Sequence, residues 1–481
     1  MTDSMATTST ARRPPGHEEF LTLVRKYRAP QADLFDPANR IFITRAPGRL
    51  DLMGGNDDYT GGMVFEATIR EGTWAAVQPR SDAKIVLVNP QMAEQGWHDR
   101  VEFSLAELAE EAHVRALANR DPQVRWTAYV LGLFHWLVRF RPRHARHGAT
   151  VLIWSDVPLN KGVSSSAAVE VAVMKAAAAA YGCELAGIEL AEACQWVENV
   201  IAESACGIMD QIAVTLGDEG HVLPLVCQPC LPRPLVRLPR GLVCWGIDSG
   251  VRHQVSGVEY EAARAAAFMG YKMICRREQV AITFDSASGI PRYTDPRWNG
   301  YLANLAPPEF RALEHELPES ISGAEFTASW GEHVDPFTPV RAEVDYQVRA
   351  NTRYAVEENF RVCTFVELAH GMGAGYTNDG ARRMGELMYQ SHAAYSECGL
   401  GCRQTDLLVE LARREGLAHG IFGAKITGGG GGGTVAILAR DDADAAFDRI
   451  LAGYREATKI EPYVFHGSSM GADRFGVLVE P

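Results

Sequence analysis

The sequence predicts a mixed α+β protein built from two lobes. Strand-like apolar runs alternate with helical segments in the first half of the chain. Long helical segments, a glycine-rich turn and an apolar strand follow in the second half. Between the halves, the proline-rich stretch QPCLPRPLVRLP marks a domain boundary near residue 235. We expect a first domain over 20–235, a second over 236–481, and a disordered lead-in over 1–19.

The individual elements follow from local patterns of apolar residues. Short apolar runs that precede Gly, Pro or charged residues predict strands, and apolar residues that recur on one face predict helices. The predicted strands are RIFITRAPG, MVFEATI, ATVLIWSDVPL, GLVCWGIDSGV and the end of KITGGGGGGTVAILA. The predicted helices are SAAVEVAVMKAAAAAYG, GIELAEACQWVENVIAES, 258–278, 351–369, 380–397 and 404–415.

Composition and charge exclude several classes of protein. The formal net charge of −13 over 481 residues argues against nucleic acid as the main partner, because such proteins need a basic face. No apolar stretch approaches the about 18 residues that a transmembrane helix needs, so we expect no membrane partner. Ten cysteines without a secretion signal predict reduced thiols in a cytoplasmic protein, with no metal held by Cys or His. The oligomeric state stays open between monomer and dimer.

A glycine-serine loop follows the strand that ends near Pro158. In DVPLNKGVSSSAAVEVAVMKAAAAA, the loop leads into an alanine-rich helix that begins around Ser166. The first turn of a helix has unpaired N–H groups and a positive dipole end, which together bind phosphate. One hydroxyl of the three serines can also ligate magnesium. The alternative is an ordinary N-cap, although a cap needs only one serine.

Two further segments have the residue types of a ligand site. In VENVIAESACGIMDQ, Glu198 lies on a helix, and Asp210 follows small residues that let it come close to a ligand. The two acids are far enough apart to take different roles, as metal ligand and proton acceptor. Solvated acids on a helix are the alternative. In GAKITGGGGGGTVAIL, six glycines over 428–433 allow a close approach of backbone to a ligand or a loop. The alternative there is a flexible linker, which rarely lies between core strands.

Together these motifs resemble the GHMP small-molecule kinases, in their galactokinase branch. APGRLDLMGGNDDYTGG is similar to the galactokinase signature, PLNKGVSSSAAVE to the phosphate loop and CGIMDQ to the catalytic segment. The likeness is collinear over about residues 40 to 475. It implies an ATP-dependent sugar 1-kinase with Mg²⁺, an N-terminal α/β lobe like domain 2 of ribosomal protein S5, and a C-terminal α+β lobe. The active site would lie between the lobes.

The resemblance implies a role for each matched residue. Asp210 would accept the proton of the anomeric hydroxyl, with Arg49 beside it, and Ser166 and Glu198 would ligate magnesium. The expected sugar contacts are Asp58, Gly55, Asn56, Gly207 and Tyr260. The expected ATP contacts are Gly162, Val163, Ser164, Ser165, Ser166, Trp126, Tyr129, Gly429 and Gly430.

The stretch GGNDDY bears on which sugar is bound. Where galactokinases have Glu and His that reach the 6-hydroxymethyl group of galactose, this chain has Gly55 and Asn56. A pocket without those groups suits L-arabinose, which lacks that carbon, and other segments such as RLDLMGG and WGIDSGVRH resemble plant L-arabinokinases. Galactokinase, or a kinase for both sugars, is the alternative, followed by a catalytically silent sugar- and ATP-sensing regulator. Asp57 is expected to face solvent, and the segment 280–345 either covers the sugar or only packs.

Overall fold

The computed structural model describes residues 14–29, 31, 34–251, 258–285, 292–373 and 375–481. Its helices are α1 His17–Arg28, α2 Glu111–Asn119, α3 Thr127–Phe140, α4 Ser165–Ala180, α5 Gly187–Val200, α6 Met209–Leu216, α7 Val258–Arg277, α8 Pro307–Leu313, α9 Gly323–Trp330, α10 Val348–Met372, α11 Asn378–Glu397, α12 Arg403–Glu415, α13 Asp444–Thr458 and α14 Ala472–Phe475. Its strands are β1 Ile41–Met53, β2 Met63–Pro79, β3 Lys84–Val88, β4 Arg100–Ser104, β5 Ala149–Ser155, β6 Val222–Val226, β7 Leu231–Pro232, β8 Leu242–Asp248, β9 Thr283–Asp285, β10 Arg292–Thr294, β11 Ile321–Ser322, β12 Asp345–Tyr346, β13 Ile421–Ile426, β14 Thr434–Arg440, β15 Val464–Phe465 and β16 Leu478–Glu480.

An eight-stranded sheet forms the first lobe. Its strands are ordered β16–β1–β2–β5–β3–β4. Strand β6 pairs with the first residues of β2, Met63 to Ala67, and β7 pairs with β6. Only the pairing of β3 with β5 is parallel. Helices α3, α4 and α5 bury their apolar sides in the largest core of this lobe, whereas α1 packs on Trp74 and its neighbours. The α/β character expected of this lobe is confirmed.

Strand β1 is longer than the apolar run Ile41–Thr44 indicates. It continues to Met53 through the proline and glycines that read as a turn in the sequence. The pairing with β2 shifts register between Pro47 and Arg49, and such a bulge tolerates a proline, which has no N–H to donate. Gly48 allows the strand to pass close to the next loop, since a Cβ there would lie 2.6 Å from the Val163 carbonyl oxygen.

A four-stranded antiparallel sheet, ordered β13–β14–β8–β15, forms the second lobe. Helices α10 and α11 pack between this sheet and apolar residues of β1 and β2, so the two lobes share a core. Helices α12 and α13 cover the opposite face. The four long helices predicted for this half are confirmed to within a few residues at each end.

The last strand, β16, returns to the first lobe and pairs with β1. A single boundary at residue 235 therefore separates the chain only in sequence, and the predicted domain limits stay a prediction. Most of the predicted lead-in, residues 1–13, lies outside the described residues, and α1 already begins at His17. All ten cysteines are free. Among the helices of the described ranges, none is long and apolar enough to cross a membrane.

The segment between α7 and α10 packs against α7. Its strands pair as two short hairpins, β9 with β10 and β11 with β12. Side chains from α8, α9 and the connecting turns form one apolar core with α7, and this core includes Tyr59. Tyr301 from this segment lies against Gly61, where a Cβ would come 2.7 Å from the tyrosine Cβ. The segment therefore supports the loop after β1 from behind.

Candidate active site

A cavity of about 950 Å³ lies between the two lobes. It collects most of the residues that the sequence predicts for sugar, ATP and magnesium. Those at its wall are Arg49, Asn56, Asp58, Trp126, Tyr129, Gly162, Ser164, Ser165, Ser166, Glu198, Gly207, Asp210, Tyr260 and Gly429.

Three predicted residues do not reach the cavity wall. Val163 is buried, and its carbonyl oxygen accepts a hydrogen bond from the Arg49 backbone N–H at 3.1 Å. Gly430 packs on Leu400, where a Cβ would lie 2.7 Å from that side chain. Gly55 is packed between the lobes, where a Cβ would overlap the Tyr395 hydroxyl and a carboxylate oxygen of Asp51.

The glycine-serine loop ends at the N-terminus of α4. Asn160, Gly162 and Ser164 all adopt left-handed backbone conformations, and these bends turn the loop around the first turn of the helix. Ser164 is the N-cap residue, yet its side chain makes no capping hydrogen bond. Its buried hydroxyl has no hydrogen-bond partner among the described residues. A buried hydroxyl beside unpaired helix N–H groups is a donor set for a phosphate.

Arg49 and Asp210 form an ion pair at the centre of the cavity wall. The arginine Nε and Nη2 lie 2.9 and 2.8 Å from the Asp210 Oδ1, and its Nη1 donates to the Gly162 carbonyl oxygen at 2.6 Å. Burial disfavours the guanidinium charge, but Asp210 and Glu66 outweigh that effect and raise the pKa of Arg49. The second carboxylate oxygen of Asp210, on a side chain that is 22% exposed, remains available to a ligand.

Two buried acids behind Arg49 escaped the sequence analysis. Glu66 on β2 lies 3.3 Å from the Arg49 Nε, and burial raises its pKa well above the usual range. Asp51 on β1 forms a fully buried ion pair with Lys425 of β13, at 2.7 Å. This second pair joins β1 of the first lobe to the edge strand β13 of the second. No local pattern indicates either contact, because Arg49 and Glu66 lie on separate strands and Asp51 and Lys425 are 374 positions apart.

Ser166 and Glu198 present oxygen atoms to the same part of the cavity. Burial and the charge of Asp210 raise the pKa of Glu198 to about 7, and the Ser166 hydroxyl counteracts part of that rise. Gln211 donates its amide to Glu198 at 2.6 Å and to the buried Glu170 at 3.2 Å, which orients both carboxylates. A hydroxyl and one carboxylate fit Mg²⁺, which usually takes one or two protein ligands along with phosphate and water.

At the sugar end, the Asp58 carboxylate packs directly on Gly207. Any Cβ at position 207 would overlap that carboxylate, so only glycine fits there. Burial, followed by the charge of Asp210, raises the pKa of Asp58 to about 6, whereas Arg264 acts in the opposite direction. Tyr260 lies at the same wall and packs edge-to-face on Tyr59.

Asn56 has a left-handed backbone and a buried side chain at the cavity wall. Its amide nitrogen donates to the Gly429 carbonyl oxygen at 3.3 Å. The side-chain oxygen has no partner in the part of the chain that the structure describes. Such an oxygen is an acceptor for a ligand hydroxyl.

Asp57 is buried, so the expectation that it faces solvent is wrong. The loop folds back on itself: the Asp57 backbone N–H donates to the Gly54 carbonyl, and its own carbonyl accepts from Gly62. The Thr60 hydroxyl donates to the Asp57 carboxylate. Burial raises the pKa of Asp57 well above its usual range, and the nearby Glu358 adds to the rise. Asp57 therefore shapes the loop that holds Asp58.

The segment before α10 reaches the sugar end through one buried ion pair. Asp335 accepts two hydrogen bonds from Arg264 of α7, each at 2.9 Å, and one from Thr338 at 2.6 Å. The arginine lies 5.0 Å from the ring of Tyr59, and its charge opposes the rise that burial causes in the pKa values of Asp58 and Tyr260. From sequence, the segment 280–345 could either cover the sugar or only pack against the rest of the protein. The structure places it behind the loop after β1, which carries the predicted sugar contacts Asn56 and Asp58.

The glycine run forms a tight turn between β13 and β14. A Cβ at Gly428 would lie 2.9 Å from the Gly162 carbonyl oxygen, and one at Gly433 would lie 2.8 Å from that of Lys161. The expected close packing of backbone on a loop is confirmed. In addition, Lys161 pairs with Asp248 of β8 at 2.6 Å, which ties the phosphate loop to the second lobe.

The far end of the cavity has a wall that sequence analysis missed. Trp126 and Tyr129 lie there as expected, and the Trp126 indole donates to the His98 carbonyl oxygen at 3.0 Å. The same end is lined by the short 3₁₀ helix Pro90–Gln95 and its flanks, including Asn89, Gln91, Met92 and Trp97. A short polar segment of this kind carries no motif that would have distinguished it from an ordinary surface loop.

Comparisons with known proteins agree with this geometry. Three family models match: the galactokinase galactose-binding signature at residues 32–79, the GHMP kinase N-terminal domain at 128–218 and the GHMP kinase C-terminal domain at 378–456. L-arabinokinase of Arabidopsis thaliana is 35% identical over 92% of this chain, which spans 47% of that protein. Galactokinase of Chloroflexus aurantiacus is 32% identical over 88% of this chain and 90% of its own length.

A solved structure shares the whole fold. The crystal structure of Lactococcus lactis galactokinase complexed with galactose matches 96% of this chain and 99% of its own, with a TM-score of 0.74 at 21% identity. A phosphate loop and a paired aspartate in a cleft between two such lobes define a small-molecule kinase. This chain belongs to the GHMP kinases, in the galactokinase branch, and is an ATP-dependent sugar kinase that resembles L-arabinokinase.

Proposed function

We propose that the chain phosphorylates the anomeric hydroxyl of L-arabinose, giving L-arabinose 1-phosphate and ADP. The observation that carries the proposal is the glycine at position 55, next to Asn56 of the cavity wall, which offers no side chain to an exocyclic hydroxymethyl group. L-arabinopyranose has the ring stereochemistry of galactose without that group, so it leaves no hydroxyl unpaired there. The identity to a plant L-arabinokinase supports the same substrate, although this chain spans about half of that protein.

In the proposed reaction, Asp210 takes the proton of the anomeric hydroxyl. The hydroxyl oxygen then forms a bond to the γ-phosphorus of ATP, while the bond from that phosphorus to the β–γ bridging oxygen breaks and ADP leaves. Arg49 holds one oxygen of Asp210, which directs the other carboxylate oxygen to the sugar. Its guanidinium also offsets charge that develops on the transferred phosphoryl group.

The phosphates of ATP would lie against the loop before α4. Backbone N–H groups of Gly162 to Ser165 and the unpartnered hydroxyl of Ser164 would donate to them. Ser166 and Glu198 would hold Mg²⁺, which supplies positive charge to the phosphates in phosphoryl transfer. Trp126 and Tyr129 would face the adenine. Since phosphoryl transfer depends mainly on positioning and electrostatics, these groups suffice for the chemistry.

Galactose 1-phosphorylation, alone or beside that of L-arabinose, is the second candidate function. The side-chain oxygen of Asn56 favours it, because this buried acceptor at the cavity wall can take a hydrogen bond from an exocyclic hydroxyl. Galactokinases that this chain matches over 90% of their own length are also among its relatives.

ADP release with L-arabinose, D-galactose, D-fucose and glucuronate tests the substrate. We expect the highest kcat/KM with L-arabinose. A tenfold preference for galactose, about 1.4 kcal/mol, would overturn the proposal. D-fucose, which is 6-deoxygalactose, separates the size of the exocyclic group from its hydrogen bonding. If D-fucose matches D-galactose, Asn56 does not recognise the 6-hydroxyl group.

The variant Asp210→Asn is the matched control for chemistry, since it retains the side-chain size. We expect it to lose most of its turnover while sugar binding is retained, and near-normal turnover would remove the proton acceptor role of Asp210. If the unaltered protein binds sugar and ATP but releases no ADP, the chain acts as a sensor of these ligands.

A further inference from the structure

Two buried tyrosines lie directly behind the loop that binds the sugar. Tyr354 of α10 and Tyr395 of α11 pack edge-to-face, with ring centroids 5.3 Å apart. The Tyr354 hydroxyl donates to the Gly55 carbonyl oxygen, and the Tyr395 hydroxyl donates to the Gly428 carbonyl oxygen at 2.7 Å. The pair therefore joins the sugar loop to the glycine-rich turn.

The Tyr395 hydroxyl fills the space in which a side chain at position 55 would begin. A Cβ on Gly55 would overlap this oxygen and one oxygen of Asp51. The backbone of Gly55 does not lie in the left-handed region, so the restriction is purely steric. Asp51 is held in place by its buried ion pair with Lys425. Tyr395 is thus the neighbour whose replacement changes the space available.

We propose that Tyr395 is a specificity-determining residue of this kinase. By occupying the volume next to Gly55, it keeps position 55 free of any side chain that would contact an exocyclic group of the sugar. Tyr395 does not line the cavity, so it acts as a positioning residue through Gly55 and Gly428. This inference rests on the proposed function, because it explains how the pocket suits a sugar without an exocyclic carbon.

One consequence concerns the simplest conversion of the pocket. Gly55→Glu with Asn56→His restores the residues that galactokinases have at these positions. With Tyr395 present, the new glutamate overlaps the tyrosine hydroxyl and also meets the buried charge of Asp51. The conversion therefore requires a smaller residue at position 395 as well.

A double-mutant cycle tests the proposal with the smallest possible changes. Gly55→Ala adds one carbon, and Tyr395→Phe removes the oxygen that this carbon would overlap. We expect Gly55→Ala to lower Tm and to lower kcat/KM about tenfold. The double variant should recover about fivefold or more of the loss in kcat/KM. Recovery is partial because Asp51 remains. Tyr389→Phe, on the same helix, removes a hydroxyl away from the loop and is the matched control.

A second pair of variants examines the sugar itself. Gly55→Glu is expected to be poor with both sugars, and Gly55→Glu with Tyr395→Leu is expected to raise the ratio of galactose to arabinose kcat/KM about tenfold over Gly55→Glu alone. If Gly55→Glu fails to fold, the double-mutant cycle of Gly55→Ala and Tyr395→Phe decides whether the two positions are coupled. If the change in kcat/KM of the double variant equals the product of the changes in the two single variants, positions 55 and 395 are not coupled and the inference is wrong. A preference of the unaltered protein for galactose would instead overturn the proposed function, because the coupling is measured with either sugar.

Discussion

Asp335→Asn tests whether the segment between α7 and α10 shapes the sugar end of the cavity. In the structure, Asp335 neutralises Arg264 through two hydrogen bonds of 2.9 Å, and both side chains are about 4% exposed or less. Breaking a buried ion pair by removing one charge costs about 3–5 kcal/mol. Asparagine retains the size and one acceptor, so we expect a loss near the lower value, about 3 kcal/mol of the free energy of unfolding.

The same substitution also has an expected effect on sugar binding. Arg264 packs on Tyr59 and influences Asp58 and Tyr260 through its charge, so releasing it should disturb the proposed sugar contacts but not the proposed ATP contacts. We expect the KM for sugar to rise about tenfold, about 1.4 kcal/mol, at a temperature where the variant is folded. The KM for ATP should stay within about twofold.

Steady-state kinetics with each substrate varied in turn, together with chemical denaturation, measures both effects. Glu309→Gln is the matched control, because Glu309 pairs with Arg297 on the exposed surface of the same segment. That variant should leave the kinetics and the stability nearly unchanged, as exposed ion pairs contribute little. If Asp335→Asn is destabilised while the KM for sugar is unchanged, the segment only packs against α7 and the reasoning fails.

Two further predictions concern the phosphate and sugar ends. Ser164→Ala should raise the KM for ATP about tenfold without loss of stability, because the hydroxyl that it removes is buried and without a partner among the described residues; a destabilised variant with normal KM would contradict phosphate binding by Ser164. Sugar binding measured by calorimetry without ATP should weaken as the pH falls below about 6, since the pKa of Asp58 is raised to about 6 and protonation removes an acceptor for the ring hydroxyls. Constant affinity down to about pH 5 would show that Asp58 is not that acceptor.

Several features of the chain could be predicted from local sequence. The helix that begins at Ser165 and its phosphate loop follow from a Gly-Val-Ser-Ser-Ser sequence after an apolar strand. Long helices such as α10 and α11 follow from apolar periodicity. Arg49 and Asp210 were assigned through the resemblance of their segments to a known family, and they form the expected ion pair. These signals are local, since each depends on a few consecutive residues.

Other features depend on contacts between distant residues. Asp57 was expected in solvent, yet the loop folds onto its own backbone and packs against the 280–345 segment, which buries it. The sequence showed only that Gly55 has no side chain to contact the sugar. The structure shows that the Tyr395 hydroxyl, from the other lobe, fills the space beside it. No pattern within the loop predicts either environment.

The sequence by itself determined the two-lobed α+β fold, because apolar periodicity acts over short ranges, and the resemblance of its motifs to the GHMP kinases indicated the family. Only the tertiary structure decided what lies behind the site. Lys425 reaches Asp51 across 374 positions of sequence, and Tyr354 reaches Gly55 across 299. Such contacts form when helices and strands pack, so they fix the shape of the sugar pocket without leaving a local pattern.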